Sequence, residues 1–171
     1  MTTRFLFLTI LLALLSGCKP SSQGPLDSSG YENAVGAAAL RQLIKDTQVA
    51  YPNQGSVPFA IVIGERLASP SPIFLTQFDT LGLEFVDHKD LDFDRVTKAT
   101  VLKGTRTSPI VLQLTKITQL DPQTHEVEAA WNRNRDVVRK VYQAKGDPDG
   151  GNLTITELRV IRDERFPDTS E

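Results

Sequence analysis

Cysteine, histidine and tryptophan are nearly missing from this chain of 171 residues, which holds one Cys, two His and one Trp. A lone thiol excludes an internal disulfide and a cysteine-based zinc site, and two imidazoles leave little for metal chemistry. No apolar run reaches the roughly 20 residues that a helix needs to span a hydrocarbon core. Charge of one sign is lacking too: 19 basic side chains stand against 21 acidic ones, net −2, which gives no basis for nucleic-acid binding. There is no G-x-S-x-G, no H-E-x-x-H, no P-loop and no G-x-G-x-x-G, so neither a catalytic residue nor a cofactor is assigned. What remains is an ordinary globular balance, 40% apolar and 23% charged, which excludes wholesale disorder, collagen and a multi-pass membrane protein.

The first eighteen residues carry the most specific signal. Arg4 is the only charge among them, and Phe5 to Leu15 is almost continuously apolar. A charged start followed by an apolar stretch of this length is the pattern of a secretory leader. It stops at Leu15-Ser16-Gly17-Cys18, an apolar residue and two small ones before the only cysteine. An ordinary leader cut near Ser16-Gly17 is one reading of these residues. The tetrapeptide also resembles the lipobox of bacterial membrane lipoproteins. That resemblance implies diacylation of the Cys18 sulfur, cleavage by signal peptidase II between Gly17 and Cys18, and a lipid anchor in the cell envelope. Lys19, where Asp would favour the inner membrane, implies the outer membrane in a Gram-negative cell. Two or three acyl chains hold far more firmly than one, so the membrane is the expected partner through the anchor alone.

Residues 18–29 are rich in Ser, Pro and Gly and read as a flexible tether after a leader of residues 1–17. The mature chain then has 18 basic and 21 acidic side chains, net −3, and residues 30–171 form one domain. Ser29-Gly-Tyr-Glu32 has capping-box spacing and predicts a helix start. Val35, Leu40, Leu43, Ile44 and Thr47 supply its inner face, and Tyr51-Pro52 ends it. Val57 to Ile63 reads as a buried strand, Ser71-Pro72 as the start of a short helix reaching Phe78, and Leu83 to Val86 as a short strand. Pro109–Leu120, Glu126–Trp131, Val137–Ala144 and Leu153–Ile161, separated by turn residues, predict a four-stranded antiparallel meander. The Val137–Tyr142 spacing also fits a helix. The last segment loses its alternation near Glu157, which predicts a bulge. The expected fold is α+β, with one or two N-terminal helices packed on a curved antiparallel sheet. This order is loosely similar to cone-shaped NTF2-like and cystatin-like domains.

Three stretches carry potential chemistry. Asp87-His88-Lys89-Asp90-Leu91-Asp92-Phe93-Asp94 offers alternating carboxylates for Ca²⁺ or a solvated loop, but Arg95 and Val101 stand where an EF-hand needs Gly and Glu. Asp147-Pro-Asp149-Gly-Gly reads as a turn that falls one residue short of an EF-hand loop up to Glu157. Arg133, Arg135 and Arg139 share a face with Trp131 if the segment is one strand, which makes a possible binding patch; exposed cations are also solubility devices. Trp131, in phase with Val127 and Ala129, is expected in the core, the alternative being an exposed anchor. His125 opens a strand without a recognisable catalytic pattern. The expected role is a non-enzymatic, lipid-anchored binding or interaction protein of the envelope, with an envelope protein as possible partner and no metal. The alternatives are a small-ligand-binding or enzymatic cone-shaped domain and a Ca²⁺-responsive module.

Overall fold

The computed structural model describes residues 30–52, 57–149 and 151–164. The expected leader, Cys18 with its expected cleavage site, and the expected tether lie outside them. The architecture is α+β: two helices, a mixed six-stranded sheet and a two-stranded hairpin.

Helix α1 spans Ala34–Ala50. Its cap is Asn33, whose Oδ1 accepts from the Gly36 amide at 2.9 Å, so the helix starts four residues beyond the expected Ser29. Val35, Leu40, Leu43, Ile44 and Thr47 form the buried stripe, as the 3.6-residue period requires. At the other end the Tyr51 amide bonds Thr47 O, and Pro52 then blocks continuation.

Strand β1, Phe59–Ile63, is buried at every position. It pairs parallel with β2 (Phe85–Val86) on one side and with β5 (Ile110–Asp121) on the other. The expected wholly antiparallel sheet is therefore corrected to a mixed one. The unbroken apolar run of β1 has the physical reason: parallel strands are covered on both faces and do not alternate. Helix α2 (Pro72–Leu75) and a 3₁₀ segment, Thr76–Leu81, form the crossover. Ser71 caps α2, its Oγ accepting from the Phe74 amide at 3.2 Å, but the α-helix ends before Phe78.

Asp87–Asp94 is not a plain loop. Strand β3 (Leu91–Asp94) pairs antiparallel with β4 (Ala99–Leu102), and Leu91 packs on Ala60, Val62 and Val111 at the sheet face away from α1. Strands β6 (Thr124–Arg133), β7 (Asp136–Lys145) and β8 (Thr154–Glu164) follow β5 as antiparallel neighbours. Val137–Tyr142 is strand, not helix. In β8 the register passes over Leu158 and Ile161, two bulges next to and beyond the expected slip at Glu157.

The main core lies between α1 and the sheet. Leu112 and Leu114, Val127, Ala129 and Trp131, and Val138 and Tyr142 face the helix stripe. Trp131 is 2% exposed and meets the Tyr51 ring edge-on at 5.6 Å. A cluster of Phe74, Phe78 and Phe85 closes the β2 side.

Candidate functional site

Strand β1 stops at Ile63, opposite Leu114, while β5 runs on to Asp121. This leaves a shoulder of β5 without β1 beside it. Just there the β5–β6 register shifts between Leu114 and Lys116, so Thr115 is a bulge residue. Bulges re-aim side chains and are common beside functional sites. Gly64, at φ 69°, turns the chain away after β1; its amide bonds Leu114 O at 2.7 Å. Gln113 Nε2 donates to Gly64 O at 3.0 Å, and the Tyr31 hydroxyl donates to Thr115 O at 3.2 Å. The result is a cleft of about 320 Å³ between Tyr31, the Gly64–Ala68 turn and the bulge.

The chemistry of this cleft is mixed. Arg66, Lys116 and Arg139 bring cations, and Glu65 and Glu128 bring carboxylates. Arg139 Nε lies 2.6 Å from Glu128 Oε1, on the sheet face away from α1. The Nε–H does not point along that line, so the contact is an ion pair rather than a linear hydrogen bond. The Thr115 hydroxyl is buried in the wall and has no hydrogen-bond partner. A recess of this size lies at the lower limit for small-molecule or side-chain binding.

The arginines of the expected patch do not come together. Trp131 is buried under α1 with Ala129 and Val138. Arg133 stays on that side, at the end of the strand, with its guanidinium 4.9 Å from the Tyr51 ring centre. Arg139 pairs with Ala130 in the β6–β7 register, not with Trp131, and so faces the other way. Arg135 sits in the exposed β6–β7 turn and donates from Nε to Thr97 O at 3.4 Å. The physical reason is the turn after Arg133: a shared face holds only along one uninterrupted strand.

Ser69, Asp87 and His88 meet in space. Ser69 Oγ lies 2.8 Å from Asp87 Oδ1 and hydrogen-bonds His88 Nδ1, while that nitrogen is 3.2 Å from Asp87 Oδ1. A proton relay needs the serine and the carboxylate on different ring nitrogens. Here the serine and the carboxylate both lie at Nδ1. The Lys89 amide and the Ser69 hydroxyl hold the Asp87 carboxyl below its usual range, as expected of a helix-capping acid. Two further acids of this stretch serve the backbone: Asp92 accepts from the Phe93 amide at 2.8 Å and Asp94 from the Val96 amide at 2.8 Å. Asp147 likewise accepts from the Asp149 amide at 3.0 Å, while Glu157 lies in β8 against Lys140. Among the described residues no group of three His, Cys, Asp or Glu side chains is placed to hold a metal ion. His125 opens β6 with its Nδ1 buried and without a hydrogen-bond partner.

A second cleft of about 320 Å³ separates the end of α1 from the starts of β1 and β2, with Thr47, Tyr51, Phe59, Leu83 and Ile110 in its walls. Of the bulge cleft only Arg139 was singled out from sequence. A signal for the rest was present: Ile110, Leu112 and Leu114 alternate, then Ile117 follows after three positions, a change of parity that a bulge absorbs.

Comparison with known proteins finds no matching family model, no matching curated protein and no matching solved structure.

Proposed function

We propose that this chain is a lipid-anchored protein of the bacterial cell envelope with a non-enzymatic binding role, exercised at the bulge cleft. The anchor reading rests on the lipobox resemblance at Leu15–Cys18, with Lys19 favouring the outer membrane. The observation that carries the binding reading is the cleft itself: a recess at the unpaired shoulder of β5, with cations and carboxylates set around two hydroxyls. Such alternation suits a polar partner group of mixed charge, and an envelope protein is the partner class proposed.

Two measurements test the two halves. Cys18→Ser is expected to abolish incorporation of a clickable fatty acid; continued labelling overturns the anchor. A photo-crosslinking side chain at Lys116 is expected to give a discrete adduct in the intact envelope, lost with Arg139→Ala. Absence of any adduct overturns the binding role at this cleft. The second cleft supports a second reading, a small-ligand-binding or enzymatic domain of the NTF2-like kind, because it opens between helix and sheet with Phe59, Leu83 and Ile110 beside the polar Gln48 and Glu84. Saturable binding of an apolar dye, lost with Leu83→Trp, would favour that reading.

A further inference from the structure

We propose that the β3–β4 hairpin seats the domain on an anionic lipid surface, with Phe93 and Val96 entering the headgroup region between Arg95, Lys98, Arg106 and Arg135.

Phe93 is 59% exposed and Val96 88%. Phe93 lies in β3 opposite Thr100, and Val96 lies in the well-bonded turn that follows. Asp94 accepts from the Val96 amide at 2.8 Å and, at 3.4 and 2.9 Å, from the amide and hydroxyl of Thr97. Lys98, at φ 55°, then returns the chain into β4. A pre-set turn spends little ordering entropy when it docks.

Charge is concentrated around this tip. Arg95 and Lys98 belong to the turn. Arg106 is near enough to act on the Asp94 carboxyl, and Arg135 reaches Thr97 O from the β6–β7 turn. The nearby carboxylates, Asp92 and Asp94, are engaged with backbone amides of the hairpin. Arg95, Lys98, Arg106 and Arg135 stand against Asp92, Asp94 and Asp136, so this end has one positive charge in excess within a chain of net charge −2. Two apolar side chains ringed by cations with long apolar stems match a bilayer interface, where each cation near an anionic leaflet strengthens binding about fivefold.

Two further points favour lipid over a protein partner. A tip with two apolar side chains offers far less than the roughly 800 Å² per side of a stable protein interface. A surface already held beside the domain by an acyl anchor needs only a weak contact, because the tether makes docking intramolecular. Reach is sufficient. The hairpin lies at the end of the domain where α1 finishes, since Tyr51 bonds Asp136 beside the Arg135 turn. Helix α1 is about 25 Å long and the twelve residues 18–29 extend to about 40 Å. The proposal rests on the anchoring reading.

The acylated full chain is reconstituted into vesicles of phosphatidylcholine, with or without 30% phosphatidylglycerol. Acylation consumes the Cys18 thiol, so Val96→Cys supplies one site for an NBD fluorophore. Val49→Cys, where the native side chain is 82% exposed on α1, is the comparison site. In the anionic vesicles the label at 96 is expected to brighten at least twofold, shift to the blue and be quenched by doxyl lipids. The label at 49 stays water-like. Arg95→Gln with Lys98→Gln is expected to remove the signal at 96 while the protein still floats with the vesicles. Flotation with a water-like label at 96, or equal signals with and without phosphatidylglycerol, overturns the seating alone. Failure to float overturns the anchor and the seating with it. Shielding at 96 in the native envelope but not in vesicles assigns the tip to a protein partner and overturns the proposal.

Discussion

Asp46 joins three elements through its carboxylate and the Lys140 that it holds. Its Oδ2 accepts from Lys140 Nζ and from the Tyr142 hydroxyl, both at 2.7 Å, and its Oδ1 from Gln42 Nε2 at 3.0 Å. Lys140 also meets Glu157 at 2.7 Å, so one network ties α1 to β7 and β8. The side chains of Asp46 and Lys140 are each 16% exposed, and leaving one charge unpaired is costly. Asp46→Ala is expected to destabilise the fold by about 2–4 kcal/mol in urea titration. Tyr142 is pushed well above its usual range by burial and by the bond to Asp46. Burial pulls Lys140 down, but its hydrogen bonds to Asp46 and Glu157 outweigh this and leave it raised. Both groups are held protonated by folding, so their contribution is complete below the ordinary values of 10.0 and 10.5 and is lost as pH rises beyond them. Urea midpoints are expected to be level from about pH 7 to 9 and to fall above about pH 10, with a shallower fall in Tyr142→Phe. Trp131 belongs to the same scale. Its burial predicts blue-shifted emission that resists iodide, and Trp131→Ala is expected to cost about 3–5 kcal/mol.

Within elements, local preference and packing sometimes oppose each other. Alanine at position 36 would favour an isolated helix over glycine by about 1 kcal/mol. In α1, however, a Cβ on Gly36 would lie 2.1 Å from Tyr31 O and 3.1 Å from Leu114 Cδ1. Gly36→Ala is therefore expected to lower stability by about 1–3 kcal/mol and to widen the approach of Tyr31 to the bulge cleft, seen as weaker protection of the Lys116 amide in hydrogen exchange. Asn33→Ala, which removes only the cap, is expected to cost about 1 kcal/mol. Strand β8 shows another local device. It is an edge strand with Leu158, Val160 and Ile161 nearly half exposed. Its two bulges break the regular ladder along that edge, which hinders pairing with another chain.

At the level of the whole molecule, the clefts occur where the layers end, not within them. Helix α1 covers β5, β6 and β7, and the hairpin covers part of the opposite face near β1. The end of β1 opens the bulge cleft, and the end of α1 opens the second. Much of this arrangement was legible in the chain. The inner residues of β6, Val127, Ala129 and Trp131, follow from alternation, and the stripe of α1 from its helical period. The parallel pairing of β1 was not read, although its unbroken apolar run carried it. The hairpin was missed because its aspartates resemble a solvated loop until Leu91 finds Ala60 and Val62 to cover. The bulge cleft was mostly missed because Tyr31, Gly64, Thr115 and Arg139 are far apart in sequence.

The sequence by itself determined the periods: which residues of α1, β5 and β6 face inward, where turns interrupt the strands, and an apolar start ending in the sole cysteine. Those properties depend on neighbours a few positions away, where backbone geometry repeats. Only the tertiary structure decided that β1 lies between β2 and β5, that Arg139 turns from Trp131 toward Glu128, and that Asp46 meets Lys140 and Tyr142 about a hundred positions later. Such contacts form because buried carboxylates, ammonium groups and apolar faces must each find partners when water is excluded, and which partners are in reach depends on how the layers pack.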